Sequence, residues 1–150
     1  MSRPVREYRR SSADSIGDAM FRMLARLGVG PADLLITRGR KTGLPRSNPV
    51  VVVRHEGRQW LVAPYGAVPW VLNARAAGRV TLRRGRARCD YTVRELQPDE
   101  AGPVLKRYIT VATATRPYFQ ADKDAPVADF VAEAPGHPVF KLGPAEDERR

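Results

Sequence analysis

A mainly β protein with a few short helices, its strands curled into a small antiparallel barrel, is what this sequence predicts, and three observations carry the prediction. Short apolar runs are separated by glycine-containing turns, as at Glu56-Gly57 and Gly85. Within the runs side chains alternate: Val80 and Leu82 fall on one face of a strand, and Ala87, Cys89, Tyr91 and Val93 repeat the pattern on the next. The intervening helices are too short to form a layer of their own, so the strand edges are best closed on one another.

The elements follow in order. Residues 1 to 13 are polar and arginine-rich and read as a loose arm. From Asp14, a plausible N-cap, Ile16, Met20, Met23, Leu24 and Leu27 recur at helical spacing until Gly28 and Gly30 stop the helix. Packing on the domain is the ordinary use of such a face; Arg22 and Arg26 beside it also suit a membrane surface. Leu34-Leu-Ile begins a strand, and Val50 to Arg54 is a continuous apolar run that turns at Glu56-Gly57 and returns as Gln59 to Ala63. Pro69 to Ala77 reads as a short helix with proline in its first turn and Gly78 as its stop, which puts Trp70, Asn73 and Ala74 on one face. A hairpin over Arg79 to Arg94 comes next, then a helix from Pro98 carrying Val104, Leu105, Tyr108 and Ile109 with Pro103 near its start. The segment 115 to 138 is rich in proline and gives no clear period, and Val139 to Leu142 reads as a closing strand. The expected organisation is an arm and amphipathic helix over 1–30, a barrel over 31–143 and a solvated tail over 144–150.

At 150 residues the chain is one domain, long enough to bury a core without staples. The single Cys89 cannot form an internal disulfide, which fits a reducing cytoplasm. No run approaches the roughly 18 apolar residues of a membrane span, and the arginines at the start suit no secretory signal, so the expected location is the cytoplasm, with peripheral membrane contact through the first helix. With 26 basic against 16 acidic side chains the formal charge is +10, which favours anionic partners without choosing among them.

Chemistry concentrates between Leu34 and Val53. Arg38, Arg40, Lys41 and Arg46 crowd a turn bounded by Gly39 and Gly43, where backbone N–H groups and cationic side chains can grip phosphate or carboxylate oxygens. A nucleoside-triphosphate loop is excluded: Arg40 stands where such a loop needs glycine before its lysine, and Leu44-Pro45 cannot open the long helix that follows one. A merely solvated basic hairpin is the bland alternative. His55 beside a turn and His137 in a proline-rich segment are too isolated for a metal site or a nucleophile, and both are expected to be structural.

The ordered set Gly39-Arg-Lys-Thr-Gly43, Pro45-Arg46, Asn48-Pro49, Tyr65-Gly66, Pro69-Trp70, Asn73, Ala77-Gly78-Arg79-Val80 and His137-Pro138-Val139-Phe140 resembles the deazaflavin-dependent nitroreductase family over about Leu34 to Leu142. The resemblance implies a split β-barrel of FMN-binding type that uses coenzyme F420, an 8-hydroxy-5-deazaflavin with a phosphodiester and glutamate tail. It implies that Arg40, Lys41, Thr42, Gly43, Pro45 and Arg46 hold that tail. Asn48 and Pro49 begin the strand beside the ring, and Ala63, Pro64, Tyr65, Gly66, Trp70 and Asn73 complete the cofactor site. Tyr65 and Tyr118 are the candidates for the substrate side, stacking on an acceptor or donating a proton, whereas Tyr108 on its apolar face reads as core.

The implied function is hydride transfer from reduced F420 to a small hydrophobic electrophile such as a quinone or nitro compound, by a monomer or homodimer that needs no metal. Where nitro-reducing relatives tend to carry Ser-Lys-Gly, this chain has Pro64-Tyr65-Gly66, which removes a hydroxyl and a cation near the ring. A deazaflavin- or lipid-binding protein with little turnover is the second reading. A nucleic-acid module built on the arginines between 75 and 94 is the third and is not expected, because no aromatic residues interleave with them to stack bases.

Overall fold

The computed structural model describes residues 32–145. The helix expected from Asp14 and the acidic tail lie outside the described residues. Strands β1 (Ala32–Arg38), β2 (Pro45–Val51), β3 (Val53–His55), β4 (Arg58–Val62), β5 (Arg79–Arg84), β6 (Ala87–Glu95) and β7 (Val139–Pro144) form one seven-stranded antiparallel sheet in the order β2-β1-β5-β6-β7-β4-β3. Helices α1 (Pro69–Ala77), α2 (Pro98–Val111) and α3 (Val127–Glu133) are joined by 3-10 turns at Thr113–Tyr118 and Ala134–Gly136. The split-barrel expectation is met, with one refinement of how the barrel closes. Its two terminal strands, β2 and β3, are consecutive in sequence and separated by Val52 alone, so a bend in one chain segment brings the ends of the sheet together.

The uninterrupted strand expected over Val50 to Arg54 is therefore two strands, and the first of them starts earlier than expected, at Pro45. The resemblance implies a strand from Asn48; Pro45 to Ser47 show no alternation in sequence, yet they belong to β2, an edge strand that pairs only with β1. On such an edge a residue without an N–H costs nothing on the outer side. Pairings Arg38↔Pro45 and Leu34↔Pro49 fix its register.

Alternation divides the core in two. Leu35, Leu61, Leu82 and Phe140 point into the barrel with Trp70, Val71 and Ala74 of α1, whereas Val53, Val62 and Val139 point outward under α2 and α3. Neighbours such as Leu61 and Val62, or Val139 and Phe140, thus belong to different clusters, as period-two geometry requires of a sheet covered on both faces. The outer layer is close. A Cβ added at Gly102 of α2 would sit 2.5 Å from Val131 Cγ2 and 3.2 Å from the Val131 backbone nitrogen of α3. Segment 115 to 138, unreadable by period, supplies α3 and the buried rings of Phe119 and Phe130 to this layer.

Two polar fastenings lock the frame. Asp33, only 2% exposed in β1, receives Arg54 Nη2 of β3 at 2.6 Å and Arg84 Nη1 of β5 at 3.1 Å. Arg54 thereby ties β1 to the far end of the sheet order, across the seam where the barrel closes. Asn73 of α1, 3% exposed, accepts hydrogen bonds at Oδ1 from the Arg40 backbone N–H (3.2 Å) and Arg40 Nη1 (3.0 Å), and donates from Nδ2 to Thr37 Oγ1 (3.3 Å).

Replacing Gly102 by valine is expected to destabilise the fold by about 1–3 kcal/mol through overpacking, read as a lowered thermal midpoint, and Val131→Ala should recover part of the loss. Replacing Asn73 by alanine leaves the Arg40 N–H and the Thr37 hydroxyl without their partner and is expected to cost about 1–3 kcal/mol. Faster hydrogen exchange at the Arg40 amide, with the β5–β6 amides unchanged, is the accompanying signature.

Candidate active site

The cationic turn is built by its own backbone. The Gly39 N–H donates to Leu44 O and the Gly43 N–H to Gly39 O, both at 2.8 Å, while the Leu44 N–H donates to Thr42 Oγ1 at 3.2 Å. Gly43 has φ of 71°, a left-handed conformation that favours glycine. At Gly39 a Cβ would fall 2.8 Å from Thr42 Oγ1, so a side chain there would force the turn open. The turn is consequently rigid at its base and docked on α1 through Asn73, with Arg40, Lys41 and Arg46 exposed around it.

Beside it lies a cavity of about 760 Å³ lined by Gly39, Arg40, Lys41, Thr42, Pro45 to Pro49, Tyr65, Val68, Pro69, Trp70 and Asn73. Five consecutive β2 residues touch it. Because successive side chains alternate between faces, this is contact along the strand's free edge, where unpaired backbone N–H and C=O groups point outward. One wall is therefore cationic, one is polar backbone and one is aromatic. Trp70 supplies the last while remaining only 7% exposed, its ring tilted against Phe140 at 5.9 Å. The packing role that its residue type favours and the wall expected from the resemblance are combined in one side chain.

Of the residues singled out in the sequence, Arg40, Lys41, Thr42, Pro45, Arg46, Asn48, Pro49, Tyr65, Trp70 and Asn73 line this cavity. Gly43 lies on the other side of the turn, in a smaller depression with Arg38, Ala76 and Ala77. Ala63, Pro64 and Gly66 stand behind the wall rather than on it: Ala63 is buried and its N–H donates to Pro138 O at 2.8 Å, and the Gly66 N–H returns to Ala63 O at 3.3 Å. They shape the turn that presents Tyr65. Tyr118 is not in the lining either, but its ring meets Tyr65 edge-on at a centroid distance of 4.7 Å. Ser47 and Val68 line the cavity without having been singled out, and Pro69, quoted for its helix and motif, lines it too.

Several arginines that charge alone would offer to polyanions are engaged within the chain. Arg75 grips Glu95 with two bonds of 2.7 Å, Arg84 holds Asp33 and Arg94 holds Glu100 at 3.2 Å. His55 is exposed and meets Arg107 Nη2 at 3.3 Å. His137 is buried and makes two strong polar contacts, to Pro64 O and Glu133 Oε1, each at 2.9 Å. No group of three or more His, Cys, Asp or Glu suited to a metal occurs among the described residues, and no helix there is long and apolar enough to cross a membrane.

The residues present suit a deazaflavin with an acidic tail: exposed cations on a rigid turn, a flat aromatic wall, and a strand edge able to meet the polar rim of a heteroaromatic ring. Comparison with known proteins agrees. The family model for F420H2-dependent quinone reductase matches residues 4–133. Among solved structures, an F420-H2 dependent reductase, FDR-A, is 27% identical, with 75% of this chain and 93% of that chain covered at a TM-score of 0.53. A chain described as a domain-swapped dimer is 26% identical, with 88% and 99% covered at 0.54. A putative pyridoxamine 5'-phosphate oxidase from Listeria innocua, 12% identical with 83% and 92% covered at 0.53, shares the fold. With a cationic turn beside an aromatic wall, on a split barrel matched by that model over most of its length, this chain belongs to the F420H2-dependent quinone reductase family and is an F420-using oxidoreductase.

Proposed function

We propose that the cavity between the cationic turn, the β2 edge and Trp70 holds coenzyme F420, and that a small hydrophobic electrophile of the quinone class enters on the Tyr65 side. The observation that carries this assignment is the junction, in a single cavity, of Arg40, Lys41 and Arg46 with an aromatic wall and a free strand edge. The cations and the Thr42 hydroxyl bind the phosphodiester and glutamate tail, and the β2 edge and Trp70 orient the ring. The chemistry that the reduced cofactor supplies when bound is a two-electron hydride transfer.

The chain's own part is positioning and exclusion. Val68, Pro69 and Trp70 keep water from one face of the cavity, and Tyr65, 40% exposed, forms an aromatic stop against which Tyr118 packs edge-on. Either phenol can donate a proton to an acceptor oxygen after reduction. Pro64-Tyr65-Gly66 offers an aromatic face rather than a hydroxyl and an ammonium at this position, which suits a flat, electron-poor ring.

A homodimer is the proposed assembly, supported by the related chain described as a domain-swapped dimer. Peripheral contact with anionic membrane through the first helix, which would bring the protein to lipid-soluble acceptors, rests on the Ile16, Met20, Met23 and Leu24 face read in the sequence.

Joint replacement of Arg40 and Lys41 by alanine is expected to weaken binding of oxidised F420 by at most about 3–6 kcal/mol, since each charge-assisted contact contributes roughly 1.5–3. Fluorescence titration measures it, and the wild-type affinity should also fall with salt more steeply than that of the double variant. Unchanged affinity would remove the tail from this turn. For the membrane contact, co-sedimentation with anionic vesicles is expected for the wild type and should be lost on Leu24→Asp.

A further inference from the structure

We propose that His137 is held as a doubly protonated imidazolium that fastens the Ala63–Gly66 turn to the end of α3 and thereby positions Tyr65 at the cavity. The proposal rests on the reading that Tyr65 stands on the acceptor side. His137 is 7% exposed, with Nδ1 2.9 Å from Pro64 O and Nε2 2.9 Å from Glu133 Oε1. A carbonyl oxygen only accepts, so Nδ1 must carry hydrogen. An ionised carboxylate also only accepts, so Nε2 must carry one too, and a ring with both is a cation.

The ionised state of Glu133 follows from its other partners. Its Oε1 accepts the Gln120 N–H at 2.8 Å and its Oε2 the Ala121 N–H at 3.1 Å, and donors aimed at a carboxylate favour the charged form. Of the two groups sharing the proton between Nε2 and Oε1, imidazole is intrinsically the stronger base. The ring of Phe119 stacks on His137 at 4.0 Å and 20°, an arrangement that covers a cation with an aromatic face and keeps water away. Asp122 follows the Ala121 amide that Glu133 holds, and phenols stand toward the cavity. Tyr108 on α2 lies beyond Phe119, its pKa pushed well above the ordinary phenol range by burial, and Tyr65 and Tyr118 follow on the cavity side.

The consequence reaches the cavity through one peptide group. A neutral imidazole has a single N–H, so loss of the proton sets a nitrogen lone pair against either the Pro64 carbonyl or the Glu133 carboxylate. Pro64 immediately precedes Tyr65, and the neighbouring Ala63 N–H is held by Pro138 O, so the His137-Pro138 pair clasps this turn at two successive residues. His137 touches neither cavity nor acceptor; it acts by holding the residue that does.

Nitrogen-15 NMR of histidine-labelled protein tests the charge state without turnover. The expected result is a His137 ring with both nitrogens protonated, losing a proton only as pH is raised, and doing so at lower pH in Glu133→Gln. The Tyr65 amide resonance should move in step with that transition in the free protein. In turnover with a soluble benzoquinone and saturating reduced F420, KM for the quinone should rise about tenfold across the same transition, while F420 affinity measured by fluorescence stays constant. His137→Asn, whose amide can still donate to Pro64 O, should keep the low quinone KM and lose its pH dependence; His137→Ala should show the high KM at every pH. A single-proton His137 in the wild type throughout the range where it is folded, or a titration that leaves the Tyr65 amide unmoved, overturns the proposal. Absence of F420 binding or quinone turnover would instead strike the assignment of the cavity, and the NMR result would still decide the role of His137.

Discussion

Everything on the functional side of this molecule depends on the bend at Val52. A seven-stranded sheet with two open ends has no interior; one in which the first and last strands are successive stretches of chain encloses one. The bend is held by an ion pair whose carboxylate the solvent scarcely reaches. Asp33 on β1 is nearly inaccessible, and a buried carboxylate is tolerable only when paired and hydrogen-bonded. Arg54, arriving from β3, and Arg84, from β5, meet that requirement from opposite sides of the seam. Removing either arginine would leave a poorly compensated charge at the junction on which closure rests.

Closure also explains how the cavity comes to have three different walls. With β2 terminating the sheet, its outer edge stays unpaired and polar; the β1–β2 turn at its head gathers the cations, and α1 fits into the mouth of the barrel with Trp70 directed at Phe140. Asn73 joins these parts. It sits on α1, fastens Arg40 of the turn and Thr37 of β1, and so converts three segments into a single rigid body. A cofactor with an acidic tail and a flat ring needs such rigidity, because affinity gained by the tail aids hydride transfer only if it fixes the ring in place.

Much of this was legible in the chain. Pro69 and Gly78 bracket α1 where their backbone preferences put them, and the Glu56-Gly57 and Gly85 turns close two-residue hairpins with φ of 51°, 75° and 61° at those residues. The cationic turn was visible because Arg38, Arg40, Lys41 and Arg46 crowd a short segment bounded by Gly39 and Gly43. What escaped was whatever depends on partners distant in sequence. Asp33 reads as a flaw in an apolar strand until Arg54 and Arg84 are seen beside it, and Pro45-Arg46-Ser47 gives no strand signal because pairing on one side only leaves no periodic trace. His137 reads as structural in sequence, and the partner that holds it, Glu133 four residues earlier, lies on a helix without a readable period. Gly102 similarly looks like a weakness in α2 and is the point at which α3 comes closest.

The prolines of β2 have one more effect. β2 runs along an open cleft as a bare strand margin, the kind of template on which β-rich proteins stack into fibrils. Pro45 and Pro49 interrupt the row of donors such stacking would need, and the positive charges of Lys41 and Arg46 repel a second copy approaching in register. The same margin thus keeps an open cleft beside it while resisting edge-to-edge pairing with its own kind.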